Sequence, residues 1–338
     1  MKAQTLTFTA PYRLELIEHE LPPISAEEVL VQTIVSAISP GTEMLVYRGQ
    51  FPQNIPIDDC FPGMNSAFCY PLAYGYACVG RVLETGKQVD TSWRDRLVFA
   101  FQPHCSFFTT HHSSLVALPP GFAPESACFL PNAETAVNLV QDAAPILGER
   151  VLVLGQGVIG LLVAALLRQF PLEKLVTTDF YPLRRAASQA LGVDFSLDAG
   201  RPDLDAAIRQ ILPSGADLTL EVSGSPLALD TAIEHTTFSG RIVIGSWYGQ
   251  KTAAIPLGGR FHRSRIKILS SQVSTLSPEL SGRWDKSRRF GVAWQALASI
   301  QPEQWITHRF PLQKAEDAYR LLDEHPQDAI QVLLEYSA

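Results

Sequence analysis

The stretch "VLVLGQGVIGLLVAALL", residues 151–167, decides the fold. Four apolar residues suited to a buried strand run directly into a turn with glycine at 155, 157 and 160, and the turn opens a long apolar helical stretch. Strand, glycine turn and helix in that order form the setting in which Gly-x-Gly-x-x-Gly binds a dinucleotide. Gly155 permits the tight turn, Gly157 lets the main chain approach a pyrophosphate, and Gly160 allows the helix to pack closely on the strand. Gln156, Val158 and Ile159 complete the turn. The helix N-terminus then offers unpaired N–H groups to an anion.

The following strand, "KLVTTD", ends in Asp179, nineteen residues beyond Gly160. A carboxylate there is placed to accept hydrogen bonds from the adenosine ribose, and it repels a 2′-phosphate, so NAD(H) is favoured. Phe180 follows as a further cofactor contact. Arg184 and Arg185, in "DFYPLRR", pull the other way, because an arginine beside the ribose accommodates the extra phosphate. NADP(H) therefore stays open.

Outward from this core the texture changes near residue 145. Before it lie short alternating runs broken by Pro and Gly, such as "ACVGRVLETG" and "RDRLVFAF", which read as a β-rich domain. After it, apolar runs of strand length alternate with helical periods, the pattern of a parallel sheet covered on both faces. The fold class is α/β, a doubly wound parallel sheet joined to a β-rich domain. A chain of 338 residues, 46% hydrophobic and 18% charged, is long enough for both.

Charge and cysteine usage narrow the function. A net charge of −7 gives no general reason to bind nucleic acid or an anionic membrane surface. The one locally basic run, "KSRR" ending at Arg289, reads as a solvated helix face. The alternating N-terminus reads as a strand and not as a signal peptide, and no segment approaches the roughly 18 apolar residues that span a bilayer. A cytoplasmic location follows as the expectation. Cys60, Cys69, Cys78, Cys105 and Cys128 are odd in number and contain no Cys-x-x-Cys pair. They are expected to be reduced, mostly buried thiols, neither a disulfide framework nor a zinc knuckle.

In "GYACVGRVLETG", "RDRLVFAF", "NAETAVN" and the glycine fingerprint, the chain resembles the medium-chain dehydrogenase/reductase superfamily over essentially its whole length. "SAISPGTE" and "SWYG" with "PLGGRFHRSRIKILSSQV" look closest to a zinc-lacking branch related to the bacteriochlorophyllide hydroxyethyl dehydrogenases. The resemblance implies a GroES-like catalytic domain over 1–134, a Rossmann domain over 135–272 and a return to the first domain over 273–338. It also implies a homodimer joined along the "RIKILSSQV" edge, since an unpaired apolar edge is an aggregation liability.

Set against the zinc enzymes of that superfamily, the matching positions carry no metal ligands. The first Cys is replaced by Ser39 or Pro40, the His by Tyr76, the adjacent Glu by Ala77, and the ligand four residues before Thr135 by Pro131. No metal site is expected. Tyr76 is a candidate proton donor to the reacting oxygen, Thr42 matches a proton-relay hydroxyl, Glu43 matches a second acid near the metal, and His104 is a candidate general acid or substrate ligand. By the same resemblance Thr135, Ser223, Gly245, Ser246 and Trp247 are implied cofactor contacts. His262, placed after the fifth strand of the nucleotide domain, is a candidate substrate contact, and Tyr248 is a candidate to stack a flat substrate.

The activity implied is a zinc-independent NAD(P)(H) oxidoreductase that moves a hydride between nicotinamide and a small-molecule carbonyl, alcohol or activated double bond. Two alternatives stand beside it. One is a bacteriochlorophyllide-like alcohol dehydrogenase with a large flat substrate, and the other a dinucleotide-binding sensor without turnover. The Pro-rich insertion from Arg48 to Pro71 is expected to shape the substrate pocket.

Overall fold

The structure is a computed structural model that describes residues 1–52 and 68–337. Cys60 and most of the Pro-rich insertion lie outside the described residues. The chain forms two compact units, Met1–Pro131 with Gln301–Ala338, and Asn132–Ile300.

The second unit carries a six-stranded parallel sheet. Its spatial order is Phe195–Asp198, Lys174–Asp179, Arg150–Leu154, Ala216–Glu221, Thr236–Ile244 and Lys267–Ser270. Numbered along the chain this is 3-2-1-4-5-6, the doubly wound dinucleotide-binding order. Val151, Leu152 and Val153 are fully buried, as a central strand covered on both faces requires. The helix Val158–Leu167 is apolar nearly all round because it too is buried.

The first unit is β-rich. Its longest strand, Glu28–Ile38, pairs antiparallel with Cys78–Thr85, with Phe107–His111 and with the last strand, Gln331–Glu335. The N-terminal run forms the strand Lys2–Ala10 in a separate three-stranded sheet. Leu6, Phe8, Met44, Tyr319 and Leu334 belong to one buried cluster of this unit.

Two expectations change here. The chain passes back to the first unit at 300/301 and not at 272/273. The cause is the helix Lys286–Ile300, which packs against Val158–Leu167. The "KSRR" run is likewise not a wholly solvated face. Arg289 is 1% exposed and donates to Glu134 Oε1 from Nε (3.0 Å) and Nη2 (2.7 Å) and to Asn138 Oδ1 from Nη1 (2.7 Å). One residue of a four-residue run on a helix with 3.6 residues per turn must face inward, and this one meets a buried carboxylate.

Cys78, Cys105 and Cys128 are buried, and Cys69 is exposed. Burial raises all three buried thiols above their ordinary value of 9.0, Cys105 to about 12. Because the folded values lie above the unfolded ones, the stability these groups contribute is fully present below about pH 9. It is lost as the pH rises toward the folded values, at about 1.4 kcal/mol per group per pH unit. The melting temperature is therefore expected to fall steeply between about pH 9 and pH 10.5. A flat profile over that window would count against buried neutral thiols.

No helix among the described residues is long and apolar enough to cross a membrane.

Candidate functional site

In the second unit the glycine turn is built by close approach. Gly155 adopts φ +96°, and a Cβ there would lie 2.5 Å from the Cα of Ser223. A Cβ at Gly160 would lie 2.0 Å from the Gly155 carbonyl oxygen. Gly157 differs, because a Cβ there would meet nothing within 4 Å, and it caps the helix Val158–Leu167 without any side-chain hydrogen bond. Two glycines thus serve internal packing while the third leaves open space in front of a helix N-terminus, and the residues present fit a dinucleotide pyrophosphate. Gln156 Oε1 is also buried with no partner.

This separation of roles can be tested. Gly157→Ala is expected to leave the melting temperature near wild type and to weaken NADH binding about tenfold or more in a fluorescence titration. Gly160→Ala is expected to destabilise the unit itself, because the clash is with main chain. Equal effects of the two substitutions on melting would contradict this division.

Asp179 is 7% exposed and already works inside the fold. Its Oδ2 accepts the Gln156 N–H at 2.7 Å and its Oδ1 the Tyr181 N–H at 2.8 Å, tying the glycine turn to the next strand. A carboxylate has about four lone-pair sites, so acceptor capacity remains for ribose hydroxyls. Arg185 is committed to the Asp179 and Phe180 carbonyls and to Asp198. Arg184 stands over the Tyr181 ring at 4.8 Å, and Phe180 is 64% exposed.

At the carboxyl ends of the next two strands, Gly224 N–H donates to Ser246 Oγ (2.9 Å), and Gly245 and Ser246 N–H donate to the Glu221 carbonyl (2.9 and 3.2 Å). The Glu221 carboxylate, fully buried, accepts from Ser223 N–H (2.7 Å), from the Ser223 hydroxyl and from the Tyr248 hydroxyl (2.6 Å). Burial and the neighbouring Glu221 charge push the Tyr248 phenol well above its usual range. Tyr248 is thus a tether for its loop and not the substrate-stacking ring expected. Trp247 beside it is 42% exposed. Thr135 lies in the second turn of the helix Leu130–Ala143.

His262 is a further correction. It lies five residues before the start of the parallel strand Lys267–Ser270, so it stands at the amino edge of the sheet. Arg260 nearby donates to the Ile233 carbonyl in the helix Ala228–His235 and to the Thr236 carbonyl at the start of the adjoining strand. The glycine turn occupies the opposite, carboxyl edge, where open parallel sheets bind ligands. His262 is therefore not a substrate contact of that site.

In the first unit the sequence "SPGTE" folds into a turn and the short helix Thr42–Tyr47. Ser39 Oγ accepts the Thr42 N–H at 3.4 Å, and Glu43 Oε1 reaches back to the Ser39 N–H at 2.9 Å, a reciprocal arrangement like a capping box one residue longer. The Tyr76 hydroxyl donates to Ser39 Oγ at 2.5 Å. Glu43 Oε2 lies 2.9 Å from His104 Nε2 and accepts the Tyr319 hydroxyl, while His104 Nδ1 lies 2.7 Å from Ser36 Oγ, which lies 2.7 Å from the Tyr336 hydroxyl. His104 and Glu43 have no exposed surface. His104 is accordingly buried rather than open to a cleft, with both ring nitrogens engaged by Ser36 and Glu43.

Ser36, Tyr319 and Tyr336 were not singled out by sequence. Ser36 is one small residue in an apolar strand, and its partners lie 68 and 300 residues away.

The positions that match zinc ligands do not fit the metal. Tyr76 and Ser39 are closed on each other by a hydroxyl–hydroxyl bond, Ala77 is buried, and Pro131 offers no side-chain donor. Zinc sites use thiolate, imidazole or carboxylate. Among the described residues no three His, Cys, Asp or Glu side chains converge as ligands.

Comparison with known proteins agrees with this geometry in part. The zinc-binding dehydrogenase family model matches residues 158–289, which lie within the second unit and exclude Ser39, Tyr76 and Pro131. D-guloside 3-dehydrogenase of Escherichia coli K12 is 25% identical over 346 residues, 97% of this chain and 98% of that protein. In fold the chain is similar to an alcohol dehydrogenase, RspB, of E. coli CFT073 complexed with NADH (TM-score 0.79, 20% identity, 99% of each chain). It is also similar to a protein of Sinorhizobium meliloti 1021 described as a zinc-binding dehydrogenase and bound to NADP (TM-score 0.79, 17% identity, 99% of each chain). The chain is thus similar over its length to D-guloside 3-dehydrogenase and shares the fold of zinc-type alcohol dehydrogenases, while the zinc-binding dehydrogenase family model covers residues 158–289.

Proposed function

We propose that this relative of the medium-chain alcohol dehydrogenases is an NAD(P)(H)-dependent oxidoreductase that interconverts a secondary alcohol and its ketone, with a tyrosine hydroxyl where its zinc relatives use a metal. The observation that carries this reading is the Tyr76–Ser39 hydroxyl pair, with Tyr76 at the position where the resemblance implies a metal-binding His. The nicotinamide, when bound, supplies or accepts the hydride. The chain's own residues manage the proton. Tyr76 donates it to the carbonyl oxygen in reduction and takes it from the alcohol in oxidation, while Ser39 reverses its hydroxyl to donate to the phenolic oxygen left behind. A hydrogen-bonding acid of this kind does less than a metal to stabilise an alkoxide, and it needs no ligand set.

NAD(H) is the favoured cofactor, because Asp179 keeps a carboxylate at the ribose position and Arg185 is engaged elsewhere. The substrate class proposed is a sugar or polyol hydroxyl, by similarity to D-guloside 3-dehydrogenase.

The experiment is metal analysis of the purified protein, fluorescence titration with NADH and NADPH, and turnover on a panel of keto-sugars, polyols, quinones and tetrapyrrole alcohols. NADH binding with turnover of a sugar or polyol and no zinc supports the reading. Turnover of a tetrapyrrole alcohol alone would place the chain with the zinc-lacking bacteriochlorophyllide branch. Binding without turnover would mean a sensor, and stoichiometric zinc would overturn the role given to Tyr76.

The assembly proposed is a homodimer through the edge strand Lys267–Ser270, where Leu269 is 41% exposed on a sheet edge open to a second copy. Light scattering should give about twice 37.1 kDa. A mass equal to one chain rejects the dimer.

A further inference from the structure

His104 is enclosed, yet both ends of its ring are held by side chains, and the edge between them rests on a glycine. A Cβ at Gly75, which has φ +130°, would lie 2.9 Å from His104 Cδ2 and 3.0 Å from Nε2. Only glycine lets the ring lie against this stretch of main chain, and the next residue is Tyr76. From the same ring, Nε2 meets Glu43 Oε2, Glu43 Oε1 accepts the Ser39 N–H, and Ser39 Oγ accepts the Tyr76 hydroxyl. The imidazole therefore reaches Tyr76 by two routes, through the peptide that precedes it and through the residue that accepts its proton.

The hydrogen-bond directions are mutually consistent. With the proton on Nε2, His104 donates to the Glu43 carboxylate, Nδ1 accepts the Ser36 hydroxyl, and Ser36 accepts the Tyr336 hydroxyl. Glu43 then receives three donors, from His104, Ser39 and Tyr319, which compensates a carboxylate without solvent. Removing the imidazole leaves that carboxylate short of a donor and frees it to shift away from Ser39.

We propose that His104 is the positioning residue for Tyr76, fixing the Gly75–Tyr76 main chain on one side and, through Glu43 and Ser39, the direction of the Tyr76 hydroxyl on the other. This inference rests on the role given to Tyr76 above, and it concerns a buried group.

The test uses His104→Gln in the full chain, with Ser36→Ala as the milder second variant, since it keeps the His104–Glu43 contact and removes only the Ser36 hydroxyl shared by Nδ1 and Tyr336. Ultraviolet difference titration, wild type minus Tyr76→Phe, isolates the ionisation of Tyr76. In the His104→Gln background its midpoint is expected to fall by about half a pH unit or more, because the protonated phenol loses a well-aligned acceptor. Ser36→Ala should move it less and in the same direction. On a turned-over panel substrate, His104→Gln should lower kcat about tenfold or more with the KM for NADH within about twofold, and should cost nothing further in a Tyr76→Phe background. An unmoved midpoint in both variants, or additive losses in the double variant, would overturn the proposal. Full turnover by Tyr76→Phe would instead reject the proton-donor reading, and the difference titration would still report whether His104 governs that hydroxyl.

Discussion

Tyr76→Phe is expected to lower kcat by about 10²–10⁴-fold, the usual range for a lost general acid or base. The substitution keeps the ring that packs beside Tyr74 and the buried cluster of the first unit, so the fold should survive it. What disappears is one hydroxyl and its bond to Ser39. The cost to stability should stay near the ordinary net value of a hydrogen bond, about 0.5–1.5 kcal/mol. NADH affinity should be unchanged, because Gly155, Gly157, Gly160 and Asp179 all lie in the other compact unit. Steady-state kinetics on any accepted panel substrate, read beside an NADH titration, separates these effects. Wild-type kcat in Tyr76→Phe would show that the ring merely fills the volume of a lost metal site.

Arg289→Ala is expected to be the most destabilising single change among the described polar residues, at about 3–5 kcal/mol. The guanidinium donates twice to Glu134 Oε1, once to Asn138 Oδ1, and to the Val273 and Thr275 carbonyls. It therefore joins three pieces of the second unit, namely the helices Leu130–Ala143 and Lys286–Ile300 and the segment after the last parallel strand. Truncating it leaves Glu134, with a side chain 4% exposed, as a buried charge without its cation. The physical signature is an asymmetry. Replacing both partners together, Glu134→Leu with Arg289→Met, should cost less than Arg289→Ala alone, because no ion is then stranded. Thermal melting of the three proteins decides it, and a double replacement as damaging as the single would assign the loss to packing instead.

The fingerprint and the strand beyond it were legible because each depends on neighbours in sequence. Gly155 and Gly160 are required by a positive φ and by a carbonyl five residues away, and such local constraints leave a short motif. Asp179 ends its strand as the motif predicts, although its two main-chain hydrogen bonds were not foreseeable from spacing. The misplacements have a common cause. His262 shares its stretch with residues that look functional, but which edge of the sheet the stretch occupies depends on the strand that follows it. Arg289 sits in a basic run, and only the facing helix shows that it is an inward counter-ion to Glu134.

The sequence by itself determined the doubly wound nucleotide unit and its glycine turn, since both are properties of residue type at fixed short spacing. Tertiary structure alone decided that His104 is enclosed, that Tyr248 is tethered to Glu221, and that Tyr76 donates to Ser39. Each of those bonds joins side chains 27 to 68 residues apart, across strands and turns whose register sets the distance. A hydrogen bond exists only within a few tenths of an ångström of its length, and no pattern along the chain encodes separations of that kind.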